Sequence, residues 1–267
     1  MAFSKTLVFY LHGAPGSTAE CAIFEKQATQ HNVKLIGIDR YSIEAFSDDK
    51  KYYQQIAKNI TDIAGDKPVN IIGFSIGAHV ALAVSAVLGS QVNQLHLVSA
   101  AAPLSHGDFL DTMAGGAVFT LARDKPLLFS LLTSFQKLLA TVAPKLLTQM
   151  LFASAAGKDK SLSKERDFKE YITPILSNCF KQSSAGYKRD IYNYVNWNGE
   201  INIQAAHTTL WHGTDDNWSP FAMASYLQTN IAGVIELKSL TSLSHYSTLF
   251  HAAPLIFQTM TSMEKPQ

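Results

Sequence analysis

Charge is scarce in this chain. Asp, Glu, Lys and Arg make up 16% of its 267 residues, and 22 basic against 21 acidic side chains leave a formal net charge of +1. A chain that binds nucleic acid carries a basic excess, and a solvating tail carries a run of one sign. Neither is present, so no nucleic-acid partner is expected. Cysteine is scarcer still. Cys21 and Cys179 stand far apart, without metal-like spacing and too few for a disulfide scaffold. Reduced thiols, a cytoplasmic location and no metal are expected. Also missing is an unbroken apolar run of about 20 residues, the length that crosses a bilayer. The longest oily region, Pro126 to Phe152, is interrupted by Lys137, Pro144 and Lys145, so no stable membrane insertion is expected. There is no internal repeat and no low-complexity tract.

What is present is an ordinary globular content, 47% hydrophobic residues, in a length that holds one large domain or a core with a sizeable insertion. A monomer or homodimer is the default expectation. The opening MAFSKTLVFYLHGAPGS carries one lysine before a short apolar run, which resembles a weak signal peptide. Its β-branched and aromatic residues, stopped by a Gly/Pro turn, read better as a first strand, Thr6–Leu11.

From there the pattern alternates. Further strands are predicted over Lys34–Ile38, Val69–Gly73 and Leu95–Ser99, with helices over Glu20–His31, Asp49–Ala64 and Ile76–Leu88. Strands Thr208–His212 and Val234–Leu237 and helices Pro220–Thr229 and Ser247–Ser262 resume the pattern near the C-terminus. Unbroken apolar strands separated by helices imply an α/β fold whose mostly parallel sheet, of about six strands, is covered on both faces. Between them no strand is predicted. Helical runs fill the space instead, over Asp108–Ala122, Pro126–Thr141, Lys145–Ala155 and Glu165–Cys179, followed by the polar aromatic tract KRDIYNYVNWNGE. Residues 1–102 and 206–267 are therefore expected to form the core, and residues 103–205 an all-helical cap. Leaving from the carboxyl end of a strand, such a cap would roof the ligand crevice.

The stretch NIIGFSIGAHVAL places one serine, Ser75, where a strand meets a helix. At such an elbow the backbone is strained and the hydroxyl stands above the sheet. Gly73 and Gly77 remove the Cβ atoms that would crowd the turn. A serine hydroxyl is a poor nucleophile without a base, and the base needs an orienting carboxylate. His245, after the sixth predicted strand, is the expected base. His251 falls inside a helix, His96 inside a strand, and His31 and His106 read as surface residues. Asp215 and Asp216, after the fifth strand, are both candidates for the carboxylate, and the residues alone leave both open. Attack on a carbonyl also builds negative charge on its oxygen, which backbone N–H groups must receive. Ile76, directly after the serine, is one expected donor. Ala14, in His12-Gly13-Ala14-Pro15-Gly16 after the first strand, is the other, since Pro15 has no N–H. A phosphate loop is not indicated: neither GxGxxG nor GK[ST] follows that strand.

On these residues the chain resembles the α/β-hydrolase superfamily, in its serine-hydrolase branch with a helical cap. His12-Gly13 resembles the family's oxyanion turn, Gly73-Phe74-Ser75-Ile76-Gly77 its nucleophile elbow, and Ser244-His245 the position of its base. Gly213-Thr214-Asp215-Asp216-Asn217-Trp218-Ser219-Pro220 is similar to its acid loop, and the spacing to Pro220 selects Asp216. The family's leading antiparallel strands are not expected in this sequence, where five residues precede the first predicted strand. After the second strand the chain reads DRYSIEAF, with Asp39 but without the usual glycines. The resemblance implies a carboxylesterase that needs no cofactor and acts on small to medium hydrophobic esters. A hydrolase of carbon–carbon bonds, a thioesterase or lipase, and a non-catalytic relative are the alternatives. Dehalogenation and epoxide hydrolysis are disfavoured, because those relatives use an aspartate nucleophile. Phe119, Leu127, Phe129 and Met150 are candidate pocket residues, Phe74 and Ile76 further ones, and Tyr192, Tyr194 and Trp197 a candidate rim.

Overall fold

The computed structural model describes residues 5–44, 48–199, 202–205, 207–232 and 235–263, the side chains of 182–183 and 261–263 excepted. Several sequence expectations fall outside these residues: 1–4 of the opening stretch, 45–46 of DRYSIEAF, Glu200 of the aromatic tract, residue 206 where the core was to resume, and Val234 of the last strand.

The described chain alternates as its hydrophobic pattern predicts. β1 (Thr6–Leu11), α1 (Glu25–Gln30), β2 (Val33–Gly37), α2 (Asp49–Ala64), β3 (Val69–Phe74), α3 (Ile76–Leu88) and β4 (Val92–Val98) form its first part. β5 (His207–Gly213), α9 (Phe221–Asn230), β6 (Ile235–Leu240) and α10 (His245–Met263) form its last. The six strands make one sheet in the order β2-β1-β3-β4-β5-β6, and every neighbouring pair is parallel. Successive residues of a strand face opposite sides. Phe9, Leu11 and Ile71 therefore enter the core on one face of the sheet, and Val8, Tyr10 and Ile72 the core on the other.

Local chemistry sets the boundaries. Asp48 caps α2, its carboxylate accepting the Lys50 N–H at 2.9 Å, and Gly65 ends the helix at φ 60°, where glycine carries no Cβ penalty. The predicted helix Glu20–His31 begins as a 3-10 segment, Thr18–Phe24, before α1; such tighter turns are common at helix N-termini.

Between β4 and β5 the described residues hold helices and loops and no strand: α4 (Gly116–Asp124), α5 (Pro126–Val142), α6 (Pro144–Leu151), α7 (Asp159–Leu162) and α8 (Arg166–Val195). Pro126 and Pro144 open α5 and α6 at the first helical position, where the missing N–H is harmless. Pro144 also holds Ala143 out of the helical region, at φ −146° and ψ 58°, which separates the two helices. The largest departure from the sequence reading is α8. It runs 30 residues, past the predicted end at Cys179 and through most of the polar aromatic tract. Tyr187, Asp190, Ile191 and Tyr194 are all buried there at spacings of three and four, which is a helical face. α8 is also tied to the segments that follow β2 and β4, through an Arg40–Asp190 ion pair and a Tyr194 hydroxyl that donates to the Ala102 carbonyl at 2.9 Å.

Candidate active site

Chain order reverses direction across the sheet between β1 and β3, and ligand crevices in open α/β sheets lie at such a point, beyond the carboxyl ends of the strands. The turns after β1, β3, β5 and β6 and the first residues of α3 and α10 carry all five residues singled out by the sequence.

Ser75 closes β3 and caps α3 with φ 57° and ψ −126°. A non-glycine residue at positive φ is uncommon and strained, by about 1–3 kcal/mol. The turn is held by the Ser75 N–H donating to Val98 O at 3.0 Å and the Ala78 N–H donating to Ser75 O at 3.0 Å. Gly77 is required by its surroundings: a Cβ there would run into the carbonyl oxygens of Leu11 and His12.

Asp216 and His245 meet across two loops. His245 Nδ1–H donates to Asp216 Oδ2 at 2.9 Å, with Oδ1 at 3.2 Å. Both residues are buried. Asp216 Oδ1 also accepts the Trp218 and Ser219 N–H groups, each at 2.9 Å. Burial alone would raise the Asp216 carboxyl, but His245, His212 and these hydrogen bonds outweigh it and hold the group below its ordinary value. Asp215, exposed on the same loop, accepts from Thr214 Oγ1 at 3.0 Å and does not face His245. The imidazole lies between Phe74 (ring centroids 4.8 Å apart) and Trp218, stacked at 5.6 Å and 17°.

Four residues the sequence reading passed over hold this arrangement. Asp159, fully buried on α7, caps α10 directly behind His245, accepting the Tyr246 and Ser247 N–H groups at 2.8 Å each. Glu20, also fully buried, sits under the loop after β1. Its Oε2 accepts the Gly13 N–H at 3.0 Å and the Tyr10 hydroxyl at 2.8 Å, and burial pushes its carboxyl up to about 7. Arg40 is buried and paired with Asp190, Nε and Nη2 reaching Oδ2 at 3.0 and 2.7 Å, while Nη1 donates to the His12 carbonyl. Burial would raise the Asp190 carboxyl, but the Arg40 and Arg189 guanidiniums hold it low. Arg40 and Asp190 are 150 positions apart, so no local spacing could reveal them. The one available signal was the helical period of Tyr187, Asp190, Ile191 and Tyr194.

Ser75, Ile76 and Ala14 line a common cavity of about 190 Å³, together with Val118, Phe119 and Met150. Among the described residues, neither the Ala14 nor the Ile76 N–H is spent on a protein acceptor. Of the proposed pocket residues, Phe119, Met150 and Ile76 line this cavity. Phe129 packs on Tyr187 and Tyr192, Leu127 is exposed, and Phe74 packs on His245 and Tyr246. The expected rim is not at the cavity. The buried Tyr194 hydroxyl donates to Ala102 O, and Trp197 stacks on His79 at 4.3 Å. α8 presents Tyr187 and Ile191 to the cavity instead, one turn apart on the face that the helical period dictates. His96 is buried in β4, and burial lowers its imidazole to about 3. A larger groove, between α6 and α8, does not include Ser75. Among the described residues no group of three or more His, Cys, Asp and Glu side chains is placed to hold a metal.

No protein-family description and no curated protein matches the chain. Solved structures do. An esterase from Exiguobacterium antarcticum is 21% identical, with a TM-score of 0.64 over 97% of this chain and 92% of that one. MGS-M2, an alpha/beta hydrolase enzyme from a Medee basin deep-sea metagenome library, is 18% identical, with a TM-score of 0.66 over 97% and 91%. The Cif epoxide hydrolase from Acinetobacter nosocomialis is 14% identical, with a TM-score of 0.68 over 98% and 83%. Identities this low speak to architecture, and the architecture is clear: the chain has the α/β-hydrolase fold.

Proposed function

We propose that the protein is a serine hydrolase that cleaves small hydrophobic carboxylic esters through an acyl-enzyme. The observation that carries this reading is the His245–Asp216 pair, 2.9 Å from Nδ1 to Oδ2, on loops beside a strained Ser75 that opens into a cavity. The shared fold with proteins described as an esterase and an alpha/beta hydrolase supports a hydrolase. Ser75 Oγ attacks the ester carbonyl while His245 Nε2 takes its proton. Asp216 fixes the imidazole tautomer and stabilises the imidazolium. The Ala14 and Ile76 N–H groups receive the oxyanion. His245 returns the proton to the leaving alcohol, and a water activated by the same imidazole releases the acid. The inserted helices α4–α8 act as the cap that roofs the site.

The cavity sets the acyl size. At about 190 Å³ it is smaller than the ~300–1,000 Å³ typical of drug-sized ligands, which favours an acyl group of a few carbons. A p-nitrophenyl ester series tests this. Acetate and butyrate should be turned over faster than palmitate, and Ser75→Ala should abolish all of it while leaving the melting temperature within a few degrees. A Ser75→Ala protein with undiminished turnover removes the assignment. A preference for palmitate removes the size argument only.

A further inference from the structure

α5 is built inside out. Leu127, Leu131, Phe135, Leu138 and Val142 follow one another at intervals of four, four, three and four residues, and so share one stripe of the helix. They are 83, 66, 49, 56 and 67% exposed. The face turned to the core carries Phe129, Leu139 and Ala140, but also Thr133 and Gln136, all buried. The solvent side of this helix is thus at least as apolar as its core side. Across the Ala143 break the chain continues with Leu146 and Met150 on α6, 47 and 52% exposed. Contiguous exposed apolar surface of this kind marks an interaction site.

Its charge says what it meets. From Lys125 to Lys158 the chain has Lys125, Lys137, Lys145 and Lys158 and no Asp or Glu, and all four lysines are exposed. Beside α6 lies a groove of about 830 Å³ to which Lys145, Lys164, Arg166 and Lys169 contribute, with Glu170 as its carboxylate. Glu170 is itself paired with Arg166 at 2.7 Å. Aliphatic side chains bordered by cations are the composition of a helix lying in the plane of a lipid interface. A protein interface reads differently: aromatic and arginine anchors lead there, and Lys and Leu are depleted. A two-fold contact with a second copy would set this lysine-bearing, acid-free segment against itself, a like-charge juxtaposition that disfavours it. α5 has 17 residues, about 25 Å at ~1.5 Å each. No described helix is long and apolar enough to cross a membrane, so such a helix lies on the bilayer and does not span it.

We propose that the α5–α6 surface docks on an anionic phospholipid bilayer, with Leu127, Leu131, Leu138 and Val142 in the acyl boundary and Lys137, Lys145, Lys164 and Lys169 on the phosphates. Met150 belongs both to this surface and to the lining of the cavity beside Ser75. Docking therefore brings the cavity to the layer into which apolar molecules partition. The attachment does not depend on which bond the site cleaves.

Co-sedimentation with vesicles tests it, using phosphatidylcholine alone and phosphatidylcholine mixed with phosphatidylglycerol. The protein should pellet with the mixed vesicles, less with the neutral ones, and less as salt rises. Leu131→Glu/Leu138→Glu and Lys137→Glu/Lys145→Glu should each lower the bound fraction about tenfold or more, with unchanged circular dichroism and melting. Neither pair touches the Ser75 cavity. Failure to pellet with mixed vesicles, or pelleting indifferent to both pairs, overturns the proposal. So does a concentration-dependent dimer, seen by light scattering, that Leu131→Glu/Leu138→Glu dissolves, because the face then belongs to a second copy.

Discussion

Replacing Asp190 by alanine should be among the most damaging single changes outside the candidate nucleophile's own loop. The substitution leaves Arg40, which is 0% exposed, without the carboxylate that accepts from Nε at 3.0 Å and Nη2 at 2.7 Å. It also strips the Tyr52 hydroxyl of its acceptor at 2.9 Å. An uncompensated buried charge costs about 3–5 kcal/mol, a large part of the ~5–15 kcal/mol that stabilises a typical domain. At roughly 2–4 °C per kcal/mol for a domain of this size, the melting temperature should fall by about 6–20 °C. A second effect follows from Arg40 Nη1, which donates to the His12 carbonyl, in the same peptide group as the Gly13 N–H that Glu20 accepts. Loosening Arg40 loosens the loop that presents Ala14, so turnover should drop even at temperatures where the variant remains folded. The double variant Arg40→Met/Asp190→Leu removes both charges together and should be less damaged than the sum of the single changes, since replacing a buried pair by apolar groups is often close to neutral. Urea unfolding of the wild type, Arg40→Met, Asp190→Leu and the double variant measures the coupling. An Asp190→Ala loss under about 1 kcal/mol, or a double variant as unstable as the sum, would refute the claim that the pair is a mutually dependent buried unit.

Asp216→Asn should lower kcat by on the order of 10⁴-fold through loss of the correct imidazole tautomer, whereas Asp215→Asn, exposed and turned away, should change it little; steady-state kinetics with one accepted ester distinguishes them. Acid should destabilise the fold. Burial lowers His12, His79 and His96 from 6.5 to about 3, so between those limits the unfolded chain binds more protons. Their contribution is complete above the unfolded value and is lost as pH falls, by about 2 kcal/mol per histidine at about pH 5. Glu20 has the opposite sign. Raised from 4.5 to about 7, it contributes stability below 4.5 that is lost as pH rises through 7. Glu20→Gln should therefore raise the melting temperature at neutral pH and steepen its fall towards acid. A shallower fall would show that Glu20 is not held protonated under the Gly13 loop.

The centre of the sheet was legible because its strands are buried on both faces and read as largely apolar runs, as in Val69–Phe74, every residue of which is buried. Ser75, Asp216 and His245 could be singled out because each follows a predicted strand at a turn marked by glycine, serine or proline. The supports of the site could not. Arg40, Asp159 and Asp190 matter because of partners distant in the chain, and Glu20 because a turn brings it under Gly13 and Tyr10; a buried charge looks like any surface charge until its partner is placed. α8 was read short because its C-terminal half is rich in polar and aromatic side chains, although its buried face keeps the helical period. Leu127, on the α5 stripe, was read as a pocket residue although it is exposed, because hydrophobicity alone does not distinguish a face turned inward from one turned outward.

The nucleophile can be identified chemically without knowing the substrate. A fluorophosphonate probe leaves a resting serine hydroxyl untouched but phosphonylates one that an imidazole has activated, the oxygen displacing fluoride at phosphorus. Incubation with such a probe followed by peptide mass mapping should place a single adduct on Ser75, abolished in His245→Ala and strongly slowed in Asp216→Asn. An adduct on another serine, or none on the folded protein, would contradict the assignment of Ser75 as the residue that attacks.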